Sequence, residues 1–134
     1  PVDDFQFLKK LDKSAKQFNF EHRNYAKTSL NNGFSGGEKK RNEMLQISLL
    51  NPNFVILDEI DSGLDIEAMS MIADLIVHYQ KQKPNRTTLI ITHYPQFAEL
   101  LQADYIHILK NGSIVKTGGY SLVDTIVKDG FGGF

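Results

Sequence analysis

A chain of 134 residues is the size of one domain, large enough to bury a core and small for an enzyme built from several parts. Its 15 Lys and Arg against 16 Asp and Glu leave a net charge of -1, which excludes a long-range pull on nucleic acid, so any anionic ligand must be held locally. The absence of cysteine excludes disulfides, zinc–thiolate sites and thiolate ligands for an iron–sulfur cluster.

Phe7, Leu11, Ala15 and Phe18 recur at three- and four-residue spacing and predict an amphipathic helix, which Asn31-Asn-Gly33 follows as a break. Glu38 to Leu50 alternates polar and apolar residues at helical period and stops at Asn51-Pro52. Phe54-Val-Ile-Leu57 is short, continuous and apolar, the pattern of a strand buried on both faces. Ile66, Met69, Ile72 or Ala73, Ile76 and Tyr79 form one stripe of a helix that Pro84-Asn85 closes, and Thr87 to Thr92 reads as a second strand. Strand, helix and strand in this order make a βαβ unit, with parallel, centrally buried strands. Pro95 opens a short helix through Gln102. Asn111-Gly112 between Tyr105–Leu109 and Ile114–Thr117 is a hairpin signal, and Ser121 to Lys128 reads as a last helix before the glycine-rich end. The longest apolar runs fall far short of the roughly 18 residues of a membrane span, and no signal-peptide pattern is present. A soluble, cytoplasmic protein is expected. The chain starts at Pro1 without a methionine, which predicts that upstream residues have been removed.

In a parallel α/β sheet, ligands collect at the carboxyl ends of the strands. Asp58 and Glu59 end the first strand, and His93 follows the second. An Asp at the end of a buried apolar strand suits Mg²⁺, which prefers oxygen ligands, and the next carboxylate can take a proton from an attacking water. If that water attacks a terminal phosphate, His93 can donate a hydrogen bond to the phosphate. Each residue alone is an ordinary polar residue at a strand end; their pairing at matching ends argues for a site. His22, His78 and His107 lack that context and are read as structural.

Ser35-Gly-Gly-Glu38 has the spacing of a capping box, which accounts for Ser35 and Glu38. It does not account for Gly36 and Gly37, each costing about 1 kcal/mol relative to alanine in a helix. Bare glycines at a helix start let backbone amides approach a phosphate. Asp65, in Asp61-Ser-Gly-Leu-Asp65, is on spacing alone an N-cap for the following helix.

The ordered set FSGGEKKR, FVILDEIDSGLD and LIITHY resembles the ABC-type ATPases over roughly residues 30–118, as signature motif, Walker B strand with its glutamate, D-loop and switch histidine. Transporter subunits usually continue the aspartate–glutamate pair with proline and threonine, and the signature with glutamine. Here stand Ile60-Asp61 and Glu38-Lys-Lys-Arg-Asn42, variants similar to the SufC group, the soluble ATPases of the SUF iron–sulfur cluster assembly system. The resemblance implies an incomplete P-loop ABC ATPase domain of α/β class. Residues 1–50 would be a partial helical subdomain with the signature helix, and residues 51–134 the C-terminal part of a parallel-sheet core with flanking helices and a β-hairpin. It implies ATP and Mg²⁺ as cofactors, with Asp58 serving the metal, Glu59 as catalytic carboxylate and His93 as γ-phosphate sensor. Ser35, Gly36, Gly37 and Glu38 would meet the ATP of a second ATPase subunit in a head-to-tail dimer, and Asp65 would communicate across that dimer. SufB- and SufD-like scaffold proteins are the implied partners, with no nucleic acid and no direct membrane insertion.

A P-loop, G-x-x-x-x-G-K-[ST], should precede these motifs, yet no glycine of this chain is followed by lysine, and the glutamine loop is missing as well. The expectation is a C-terminal portion that alone does not turn over ATP. Without nucleotide, Glu59 is open to pairing with Lys39 or Lys40, or those lysines merely solvate their helix. Two other functions fit the same motifs: the nucleotide subunit of a membrane transporter, and a non-catalytic ABC-like interaction module.

Overall fold

The computed structural model describes residues 3–17 and 33–134. The elements run α1 (Asp4–Gln17), α2 (Gly36–Leu50), β1 (Phe54–Asp58), α3 (Ile66–Lys81), β2 (Thr87–Ile91), α4 (Pro95–Leu101), β3 (Ile106–Lys110), β4 (Ser113–Gly118), α5 (Ser121–Asp129) and a short 3-10 turn, Phe131–Gly133. Phe18, His22 and Asn31-Asn32 lie outside the described residues.

β1 and β2 pair in parallel, from Phe54 opposite Thr87 to Asp58 opposite Ile91, with α3 as the crossover. Val55 and Leu57 enter the main core beside Met44 and Leu45 of α2, Ile72 and Ile76 of α3, and Phe97 of α4. Leu11 and Ala15 bring α1 into the same core, and the Lys10 ammonium donates to the Leu49 carbonyl. Phe7, placed on this face by periodicity, is instead exposed.

The expected two-sided burial of β1 does not hold. Its residues alternate, and Phe54 and Ile56 remain 57% and 56% exposed. The helices of the described residues bury Val55 and Leu57 and leave Phe54 and Ile56 more than half exposed, so a strand apolar on both sides is buried on one. The stripe of α3 also starts later than its periodicity suggests, because Ile66 sits in the first turn at 86% exposure, beyond the reach of the core.

Chain turns explain where elements stop. Asn51 takes a left-handed conformation (φ 53°) and donates to the Ile47 carbonyl, ending α2 before Pro52. Asn111 and Gly112 (φ 51° and 76°) form the tight turn joining β3 and β4. Ile108 of that hairpin packs with Leu122 and Ile126 of α5 in a second, smaller cluster.

Arg86 closes the end of the sheet opposite Asp58. It is 3% exposed, donates to the carbonyls of Tyr79 and Pro52 and to Asn51 Oδ1, and lies 3.5 Å from the centre of the Tyr79 ring. The Tyr79 hydroxyl donates to the Pro52 carbonyl at 2.8 Å. Burial pushes the Tyr79 hydroxyl above its ordinary value near 10, against the opposing pull of Arg86. A raised folded pKa means that the folded chain holds this proton more tightly than the unfolded chain. The resulting stability is complete below the unfolded value and is lost as pH rises through the folded one. Denaturation midpoints should therefore fall above about pH 10, and less steeply in Tyr79→Phe; equal slopes in the two proteins would refute the linkage.

Candidate functional site

The parallel register sets the carboxyl ends of β1 and β2 side by side, so Asp58, Glu59 and His93 come together as their strand-end positions suggested. The Glu59 amide donates to the Ile91 carbonyl at 2.9 Å, one step beyond the strands. Glu59 itself adopts φ 47°, a left-handed conformation that costs a residue with a side chain about 1–3 kcal/mol. Such strain concentrates at working sites. It turns the chain out of the strand, so that Ile60 and Asp61 fold inward and the Ser62 amide bonds back to the Glu59 carbonyl.

The Glu59 carboxylate meets His93, Oε1 to Nδ1 at 3.4 Å, with both side chains about half exposed. Of the two alternatives for Glu59 and the lysines, pairing with Lys40 is not the one formed, since Lys40 pairs with Glu43 at 3.6 Å on its own helix. A contact between neighbouring turns of one helix is geometrically easier than one reaching across to a strand end. The His93 ring also lies 4.1 Å from that of Tyr94. Asp58, exposed at the end of β1, offers the oxygen donors that Mg²⁺ favours. Among the described residues, no group of three or more His, Cys, Asp or Glu side chains could hold a metal ion, so a cation at Asp58 would complete its shell with phosphate and water oxygens.

The start of α2 is the predicted capping box: the Ser35 hydroxyl accepts from the Glu38 amide at 3.3 Å, and the Glu38 carboxylate accepts from the Ser35 amide at 2.8 Å. Helix geometry leaves the amides of Gly36 and Gly37 without intrahelical partners. Neither glycine has a positive φ; a Cβ at Gly36 would meet nothing within 4 Å, and one at Gly37 would make ordinary contacts at 3.9 and 4.0 Å. Packing therefore does not demand glycine at either position. Asp65 caps α3, accepting from the Ala68 amide at 2.7 Å, as its spacing suggested. Gly37, Arg41 and Asp65 line one shallow groove of about 150 Å³ between the starts of α2 and α3. Pockets that enclose small ligands usually measure roughly 300–1,000 Å³. Asp58 lines a different groove, with Glu43, Gln46 and Leu50. The predicted site residues thus fall into two groups.

One residue that site-directed reading passed over is Asp61, at 0% exposure, whose Oδ2 accepts from the Thr92 hydroxyl. Its signal in the sequence was the departure from the proline–threonine pair usual in transporter subunits. Of the other histidines, His78 is exposed near the end of α3, and His107 meets Thr117 Oγ1 across the hairpin at 2.9 Å.

No protein-family model matches the chain. The iron–sulfur cluster assembly protein SufC of Plasmodium berghei (strain Anka) is 52% identical over 105 residues, covering 78% of this chain and 28% of that protein. SufC of Plasmodium falciparum (isolate 3D7) is 47% identical over 105 residues, covering 78% and 30%. SufC of Escherichia coli (strain K12), named as an ATP-dependent transporter, is 46% identical over 104 residues, covering 78% and 41%. The chain spans less than half the length of these relatives. Among solved structures, the ADP conformation of MJ1267, an ATP-binding cassette of an ABC transporter, superimposes with a TM-score of 0.75 at 21% identity, covering 96% of this chain and 48% of the other. A nucleotide-free ATP-binding cassette from an ABC transporter gives 0.73 at 21% identity, covering 96% and 49%. The chain therefore has the fold of part of an ABC-type ATPase cassette and is SufC-like in sequence.

Proposed function

We propose that the chain is the portion of a SUF-system ATPase that supplies the hydrolytic carboxylate, the switch histidine and the signature face. The full-length protein binds Mg·ATP and works as a dimer on SufB- and SufD-like scaffold proteins in the cytoplasm. The observation that carries the reading is the Glu59–His93 pair at adjacent parallel strand ends, one step past Asp58.

In this reading Asp58 holds the cation, directly or through water, and Mg²⁺ when bound offsets charge on the transferred phosphate. Glu59 orients the attacking water and takes its proton. His93 donates a ring N–H to the γ-phosphate. With Nδ1 facing Glu59, Nε2 is the ring nitrogen left to make that bond. Gly36 and Gly37 offer their amides, with the positive end of the α2 dipole, to a phosphate held by the opposite subunit. The separation of the Asp58 and Gly37 grooves supports that division, because one nucleotide then needs one group from each subunit. Asp65, already committed to capping α3, fixes the D-loop backbone that would face the partner.

Calorimetric titration with Mg·ATP tests this. The isolated chain should give no binding heat, since its sequence contains no P-loop to cradle the α- and β-phosphates, whereas the full-length protein should bind saturably and hydrolyse ATP. A full-length protein that neither binds nor hydrolyses ATP would overturn the proposal. Tight binding by the isolated chain would overturn the half-site reading.

A further inference from the structure

Asp61 is completely buried, and of its two carboxylate oxygens one accepts from the Thr92 hydroxyl while Oδ1 has no hydrogen-bond partner among the described residues. Burying a carboxylate so incompletely paired is costly, and an apolar residue or a neutral side chain would fill the same space more cheaply. Its surroundings give the cost a use. Asp61 lies two residues after Glu59, Thr92 immediately precedes His93, and the Thr92 oxygen in turn accepts from the Tyr94 amide at 3.0 Å. The chain Tyr94 N–H to Thr92 to Asp61 therefore straps the turn that carries Glu59 to the turn that carries His93. Among the described residues, no other side-chain bond joins those two turns except the exposed Glu59–His93 pair itself.

We infer that Asp61 is a positioning residue for ATP hydrolysis: through Thr92 it fixes the distance between the Glu59 carboxylate and the His93 ring without touching nucleotide. The role rests on the proposed ATPase reading, but the strap can be tested apart from it. An exposed pair at 3.4 Å is held weakly by its own attraction; the strand register and the Glu59 amide bond to Ile91 bring the two turns together, and the buried strap fixes them beneath the pair.

The experiment compares the full-length protein with Thr92→Val, which removes the hydroxyl at nearly constant shape, Thr92→Ser, which restores it, and Asp61→Asn. Two signals are followed: the NMR cross-peak between the His93 ring and the Glu59 side chain, and steady-state ATP hydrolysis. Thr92→Val should lose the cross-peak and lower kcat about tenfold to a hundredfold with KM nearly unchanged, the range expected when a reacting group is displaced by about 1 Å. Thr92→Ser should recover both, and Asp61→Asn, which keeps an acceptor for Thr92, should lie between them. A Thr92→Val protein that is less stable yet keeps its cross-peak and kcat would overturn the inference and leave Asp61 a packing residue. If the parent protein hydrolyses no ATP, the functional proposal fails and the positioning role fails with it; the cross-peak comparison then still decides whether Asp61 sets the geometry of the pair.

Discussion

Glu59→Gln in the full-length protein should lower ATP turnover by a factor of about 10² to 10⁴ while leaving Mg·ATP affinity nearly unchanged. Glutamine preserves the shape and can still accept a hydrogen bond from His93, so the arrangement at the strand ends survives. What it removes is the ability to take a proton from water. A variant that loses binding and turnover together would place Glu59 in ground-state contacts instead. One that keeps full turnover would exclude it as the base. On the proposed reading His93→Ala should have a smaller effect, because it removes a donor to phosphate and keeps the carboxylate that takes the proton.

Arg86→Ala should destabilise the fold by about 3 kcal/mol, read as a lower urea midpoint at constant slope. The substitution strips donors from the carbonyls of Pro52 and Tyr79 and from Asn51 Oδ1, and removes the cation stacked on the Tyr79 ring. The Tyr79 hydroxyl still serves the Pro52 carbonyl, which limits the loss. Arg86→Lys should recover little, since one ammonium cannot reproduce a planar fork reaching separate acceptors. A loss below about 1 kcal/mol would show that water takes over these acceptors. The cost arises at the end of the sheet where β1 and β2 begin, away from Glu59.

Local chemistry made much of this architecture readable. Asn111-Gly112, Pro95, the Ser35–Glu38 box and the Asp65 cap each depend on a few neighbouring atoms, and the structure forms all four. The meeting of Glu59 with His93 was legible for a related reason: a parallel βαβ unit brings successive strand ends together whatever the helix between them. Features set by three-dimensional neighbours were not legible. Phe54 and Ile56 carry the composition of a buried strand, and only the placement of helices reveals that their face is open. Asp61 looks like a turn residue until the left-handed step at Glu59 folds it inward. Lys40 and Glu59 are a plausible pair by charge, but Glu43 on the same helix is nearer to hand.

The open face of β1 and β2 also governs how this chain behaves in a tube. Phe54, Ile56, Leu89 and Ile91 present apolar surface side by side, and among the described residues each strand is hydrogen-bonded along one edge only. Exposed strand edges next to an oily surface are templates for other chains. At high concentration the isolated segment should therefore scatter light and drift towards oligomers of no fixed size. Solubility, more than folding, is then the practical limit on handling this chain.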